Sequence, residues 1–214
     1  MTNLEPVTPE NSSIILIDYS VGFANLIGST TVEHNVNSVT ALAKVALTFN
    51  VPLIVTNGQD TDTPGPIYPA LHHLIADHPV VRRGGNFNAF ETPEFAAAVE
   101  ATGRKKLIMA GLMTEGCLLL TALEGLRRGF DVYVVIDACG GETVETHQIA
   151  VSRLVQAGAI PVSWFSLAAE YQRSWARQET VEDFLHVVLE HSPAFALNLA
   201  HHTAAQQSGH RVQA

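Results

Sequence analysis

Three residues of this 214-residue sequence combine reactive side chains with suggestive spacing: Cys117, Asp18 and Arg83. A thiolate is a strong nucleophile, and the start of a helix stabilises one through its unpaired N–H groups and its macrodipole. Thr114 reads as a helix N-cap, which puts Cys117 in the first helical turn with part of its thiol ionised at neutral pH. The bland alternative is a small core cysteine, and the place of Cys117 at a helix start beyond a strand favours function. Cys139 reads the opposite way: in Asp137-Ala138-Cys139-Gly140-Gly141 it precedes two glycines and no helix start, so its expected role is structural. Asp18 closes the apolar run Ile14-Ile15-Leu16-Ile17. A lone aspartate is commonly a turn or cap residue, but one pinned at a buried strand end has a raised pKa and can take a proton from a thiol. Arg82 and Arg83 are either a solvated loop pair or a cationic element of the site. A guanidinium does not give up its proton at ordinary pH, so its contribution would be electrostatic.

Other chemistries find little support. His72, His73 and His78 cluster, but no carboxylate completes a ligand spacing, and surface histidines are the simpler account; we expect no metal. G-x-S-x-G and the P-loop pattern are missing, and Gly22 and Gly28 do not form G-x-G-x-x-G. Two cysteines do not make a disulfide scaffold, and no organic cofactor is expected either. A formal charge of -9 without a basic stripe argues against nucleic acid and anionic membrane as partners. Neither a leader-like N-terminus nor a membrane-length apolar run is visible, so a cytoplasmic protein is expected.

These residues need a scaffold, and the chain alternates short β-rich runs with longer amphipathic ones, as βαβ units do. Strands are expected at Ser13–Asp18, Pro52–Thr56, Val80–Val81, Lys106–Ala110, Val132–Ile136 and Ile160–Trp164. Helices are expected over Val32–Phe49, from Pro93, over Glu115–Arg128 with Leu119, Ala122, Leu123 and Leu126 buried, and over Val144–Ala157. Helices after Ser166 would cover a sheet edge or another subunit. With 47% apolar and only 15% charged residues, the sheet should be buried on both faces, with further apolar surface between subunits. In such a sheet the crevice lies at the strands' carboxyl ends, where Asp18, Arg83 and Cys117 all fall. We expect one domain over residues 1–200 and a C-terminal tail or intersubunit arm over 201–214.

The stretches I-L-I-D-Y (Ile15–Tyr19), R-G-G-N-F-N-A-F (Arg83–Phe90) and A-G-L-M-T-E-G-C (Ala110–Cys117) resemble the isochorismatase-like cysteine hydrolase superfamily, nearest its YcaC-like branch. G-F-D-V-Y-V-V-I-D-A (Gly129–Ala138) and Trp164-Phe165 agree, so the resemblance spans roughly residues 10–195. It implies a three-layer α/β/α, Rossmann-like fold with a six-stranded parallel sheet and a catalytic triad. In that triad Cys117 attacks an electrophilic carbon, Asp18 takes its proton and Arg83 is the basic member. It further implies a cis-peptide at Leu112–Met113, an oxyanion hole from the N–H groups of Met113 and Cys117, and Phe23 and Phe90 as pocket walls. A homo-oligomer is implied too, with the octamer of that branch as the expected size.

Three features depart from the wider superfamily. The basic residue is Arg83 rather than the lysine of nicotinamidase-like members. The frequent D-x-Q is here Asp18-Tyr19-Ser20. The metal-binding D-x-H is replaced by Thr56-Asn57-Gly58-Gln59-Asp60, which argues against nicotinamide as substrate. The isochorismatase reaction itself is not expected, because isochorismatases proper lack the nucleophilic cysteine. The reading is a hydrolase of a small-molecule amide or related C–N bond through a thioester-type intermediate. Its rival is a non-catalytic or redox-responsive scaffold in which Cys117 is a sensor thiol.

Overall fold

The computed structural model describes residues 4–76 and 78–212. Six strands form one parallel sheet: β1 (Ser12–Ile17), β2 (Leu53–Asn57), β3 (Val80–Arg82), β4 (Lys106–Gly111), β5 (Asp131–Val135) and β6 (Ile160–Val162). Their order is β3-β2-β1-β4-β5-β6, which leaves β1 and β4 paired at the centre. All six residues of each central strand are buried, as a sheet covered on both faces requires.

The helices among the described residues are α1 (Val21–Ala24), α2 (Val32–Thr48), α3 (Pro69–Leu74), α4 (Pro93–Ala101), α5 (Leu119–Arg127), α6 (Val144–Ala157), α7 (Trp164–Gln172), α8 (Val181–His191) and α9 (Pro193–Val212). Local chemistry sets several ends. Thr143 caps α6 through a reciprocal bond with Thr146, and Gly158 closes that helix at φ 105°. Pro93 opens α4, where its missing N–H costs nothing. α2 is buried more widely than one stripe, through Asn35, Leu42 and Val45 as well as Val39, Ala43 and Ala46. The reason is tertiary: α3, α7 and α8 pack around it. Residues 201–212 continue α9 without a break at position 200, and those at 201–208 are exposed. The last two positions of the expected tail lie outside the described residues.

One expected element differs. The helix over Glu115–Arg128 divides into a π-helical turn at Thr114–Leu118 and then α5. Thr114 is therefore not an N-cap. Met113 takes that place without a side-chain bond, and the Thr114 hydroxyl instead meets His147 Nδ1 at 2.9 Å.

The switch point lies between β1 and β4: the chain runs outward from β1 through β2 to β3, then crosses back to β4 and runs outward through β5 to β6 on the other side. The crevice opens where those connections diverge. Gly111 permits the close approach at its floor, since a Cβ there would stand 2.7 Å from both the Cβ and the carbonyl oxygen of Ile17.

Candidate active site

Asp18 follows β1 at φ 57°, a left-handed conformation unusual for a residue with a side chain. Two backbone bonds hold it there: its N–H donates to Thr56 O at 2.9 Å, and its carbonyl accepts from Ser20 N at 2.7 Å. Arg83 follows β3, anchored by its own N–H to Asn57 O at 3.1 Å. The turn turns the Asp18 carboxylate onto the guanidinium: Arg83 Nη2 donates to Asp18 Oδ2, and Nη1 to the carbonyl of Asn86. Both residues are buried, at 4% and 5% exposure, so little solvent screens the pair. Arg82, the neighbour weighed beside it, points away and forms a two-pronged ion pair with Asp60 at the surface.

Cys117 arrives from the other half of the sheet, in the π-helical turn beyond β4. It is 7% exposed, and both Asp18 and Arg83 act electrostatically on its thiol. Asp18 Oδ1 is nevertheless buried without a hydrogen-bond partner of ordinary geometry among the described residues, which leaves it as the oxygen available to a thiol proton. Burial is the largest influence on both groups. It raises the Asp18 pKa against the opposing pull of Arg83 and of Cys117. It also pushes the Cys117 thiol up to about 12, with Asp18 adding to the rise and Arg83 only partly offsetting it. The expected neutral-pH thiolate is thus corrected. Desolvation and an adjacent carboxylate outweigh the helix start, so the resting pair is a thiol beside a carboxylate.

The three residues line one cavity of about 670 Å³ with Ser20, Phe23, Gly58, Thr61, Asp62 and Phe87 among its other walls. Phe23 stands where expected. Phe90 does not: it packs into the core edge-on to Phe95 and stacked on Phe130, with Arg128 over its ring. Three residues earlier, Phe87 takes the wall position and is 62% exposed. The stretch is exposed from Gly84 to Phe87 and buried again at Ala89 and Phe90, a division that no local pattern announces. Sequence reasoning also missed Asn57, whose Oδ1 accepts from the Ser20 hydroxyl at 2.5 Å and whose Nδ2 donates to Gly65 O at 3.2 Å. That side chain ties the ends of β1 and β2 to the loop bearing Asp62.

The peptide between Leu112 and Met113 is cis, and Met113 is half-buried beside the turn. Cys139 lies away from the cavity, fully packed, with its thiol donating to Val135 O at 3.1 Å. His72 and His73 are exposed on α3, and no group of three or more histidine, cysteine or acidic residues is placed to hold a metal among those described. No described helix is long and apolar enough to cross a membrane.

A six-stranded parallel sheet covered by helices, with a buried Cys, Asp and Arg at the crevice beyond its carboxyl ends, defines an α/β fold of the doubly wound class. The isochorismatase domain matches residues 12–166, and the chain belongs to that family. It is 37% identical over 185 residues to probable hydrolase YcaC of Escherichia coli (strain K12), covering 86% of this chain and 88% of the relative. It superposes at TM-score 0.89 and 33% identity on YcaC from Pseudomonas aeruginosa with hexane-2,5-diol and covalent acrylamide, over 95% of this chain and all of that one. The Escherichia coli YcaC structure, an octameric hydrolase of unknown specificity, matches at TM-score 0.89 and 32% identity over 96% of this chain. The chain is an isochorismatase-family hydrolase of the YcaC-like branch.

Proposed function

We propose that the protein hydrolyses an amide or related C–N bond of a small molecule, with Cys117 as nucleophile, Asp18 as general base and acid, and Arg83 as the charge that orients Asp18. The observation that carries this reading is the meeting of the three side chains at one cavity, with Asp18 Oδ1 unpaired. In the forward step the sulfur attacks the carbonyl carbon while its proton passes to Asp18. The oxyanion forms against the backbone N–H groups of Met113 and Cys117. Asp18 returns the proton to the leaving nitrogen, the C–N bond breaks and a thioester remains. Water then adds with Asp18 again as base, and the acid leaves with Cys117 restored as thiol. A thiol with a pKa near 12 is well suited to this arrangement, in which the base acts during attack and no resting thiolate is needed. The same property disfavours the rival sensor role, since oxidation by peroxide requires thiolate.

Covalent acrylamide in the Pseudomonas aeruginosa relative is consistent with a reactive side chain at such a site. By the octameric state of the Escherichia coli relative we propose a homo-oligomer here as well. The decisive test is intact mass spectrometry after brief exposure to a panel of amides and hydroxamates. An acyl increment that maps to Cys117, and is absent from Cys117→Ser, is expected. Turnover retained in full by Cys117→Ser would overturn the reading.

A further inference from the structure

The walls of the cavity carry an uneven charge. Arg83 is the one cationic side chain among its described lining residues, and it is already committed to Asp18 and to the Asn86 carbonyl. Arg83 is 5% exposed and its Nε is buried, so little of the guanidinium is open to the cavity. The nearest other arginine in sequence, Arg82, is neutralised by Asp60. Asp62, an exposed residue on the loop after β2, lines the same cavity. Its Oδ2 accepts from Gln59 N at 2.8 Å, which fixes the carboxylate's position, and Oδ1 has no protein partner among the described residues. The remaining walls are neutral: Ser20, Thr61 and Thr63 supply hydroxyls, Phe23 and Phe87 supply rings.

A carboxylate or phosphate entering this cavity would find no free counter-charge and would meet Asp62. An uncharged ligand would meet hydroxyls and rings, and a cationic one would gain Asp62 as a partner. We infer that the site selects against anions, that its substrate is an amide whose far end is uncharged or cationic, and that Asp62 is the residue that sets this preference. The inference deepens the hydrolase reading and rests on the same cavity being where ligands reach Cys117.

Charge selection can be read without turnover by labelling the full-length protein with three methanethiosulfonates. The methyl reagent is neutral, the 2-aminoethyl reagent cationic and the 2-sulfonatoethyl reagent anionic. In each case the Cys117 sulfur displaces methanesulfinate to form a mixed disulfide. Rates at Cys117, followed by peptide mapping at pH 8.5 and divided by those of 2-mercaptoethanol, should fall about tenfold from neutral to anionic reagent, the scale of one like-charge contact in a partly solvated pocket. The cationic reagent should match or exceed the neutral one. Asp62→Asn should narrow the gap between cation and anion while leaving the neutral rate near that of the parent. An anionic reagent as fast as the neutral one, a charge ratio untouched by Asp62→Asn, or a Cys117 that none of the reagents reaches would each overturn the inference. An acyl-enzyme formed without any charge order would sink the charge inference alone, whereas charge order with no acyl-enzyme from any amide would sink the hydrolytic reading alone.

Discussion

At the scale of single residues the site is a coupled pair held by a third charge, and its parts can be separated. Asp18 raises the Cys117 pKa by its charge, adding to the effect of burial. Asp18→Asn should therefore do two things at once: abolish turnover, because the base is gone, and speed alkylation of Cys117 by iodoacetamide at fixed pH, because the thiol pKa falls from about 12. Each unit of fall gives up to about tenfold more thiolate. Slower alkylation in Asp18→Asn would show that the two groups are not coupled as described. In the parent, Cys117 should still react before Cys139, which is fully packed and whose thiol burial also pushes up to about 12. Arg83 acts in the opposite sense on Asp18, lowering a pKa that burial raises. The active form needs the carboxylate, so kcat/KM should rise with pH through an acid limb above the ordinary aspartate range. Arg83→Met should move that limb higher still and destabilise the fold by about 3–5 kcal/mol, the cost of leaving one buried charge without its partner. Arg83→Lys should keep the limb close to its original position, and pH–rate profiles of the three proteins decide the matter.

At the scale of elements, the sequence was informative where periodicity and termini chemistry agreed. All six strands lie within a residue or two of their expected places, and α6 spans Val144–Ala157 as anticipated, because Thr143 and Gly158 mark its ends chemically. The π-helical turn was not legible. Thr114 has the composition of a cap, but a partner 33 residues away, His147, takes its hydroxyl, and only tertiary structure supplies that competitor. The site divides in the same way. Asp18, Arg83 and Cys117 were readable because strand ends and a specific motif carry them. Asn57, Asp62 and Phe87 were not, since each owes its role to a loop whose path no local pattern sets. Gly111 shows how tightly the central strands must approach beneath the site. In Gly111→Ala the new methyl would press on Ile17 backbone and Cβ at 2.7 Å, so β1 or β4 must shift. We expect a loss of roughly 1–3 kcal/mol in denaturant melts, and a fall in turnover larger than the stability change explains, because Asp18 and Cys117 sit beyond those two strands. Unchanged kcat/KM would show that the strand ends tolerate displacement.

At the scale of the molecule, the sheet and α1 to α8 enclose a continuous core that includes Ile14–Ile17 at the centre and Phe184, Val187 and Val188 on α8. α9 stands apart from this pattern. It begins beside α8, where Phe195 packs on Trp175 and Phe165, and then runs on through positions that are exposed from 201 to 208. Leu197 and Leu199 are 56% and 38% exposed, and Trp175, stacked on Phe195, is 55% exposed. Isolated helical segments of a dozen residues are marginal in water, so a helix continued beyond its own core calls for packing from elsewhere. We propose that residues 201–212 act as an arm rather than a tail, with a second copy of the chain as the support. Ending the chain at Ala200 should then leave the melting temperature of the core within a few degrees, since no buried side chain is removed among the described residues. The same truncation should lower the mass found by light scattering at micromolar concentration from that of an assembly larger than a dimer. A full-length protein that scatters as a monomer would remove the oligomer from the proposal, and an unchanged assembly after truncation would return residues 201–214 to a solvent-exposed tail.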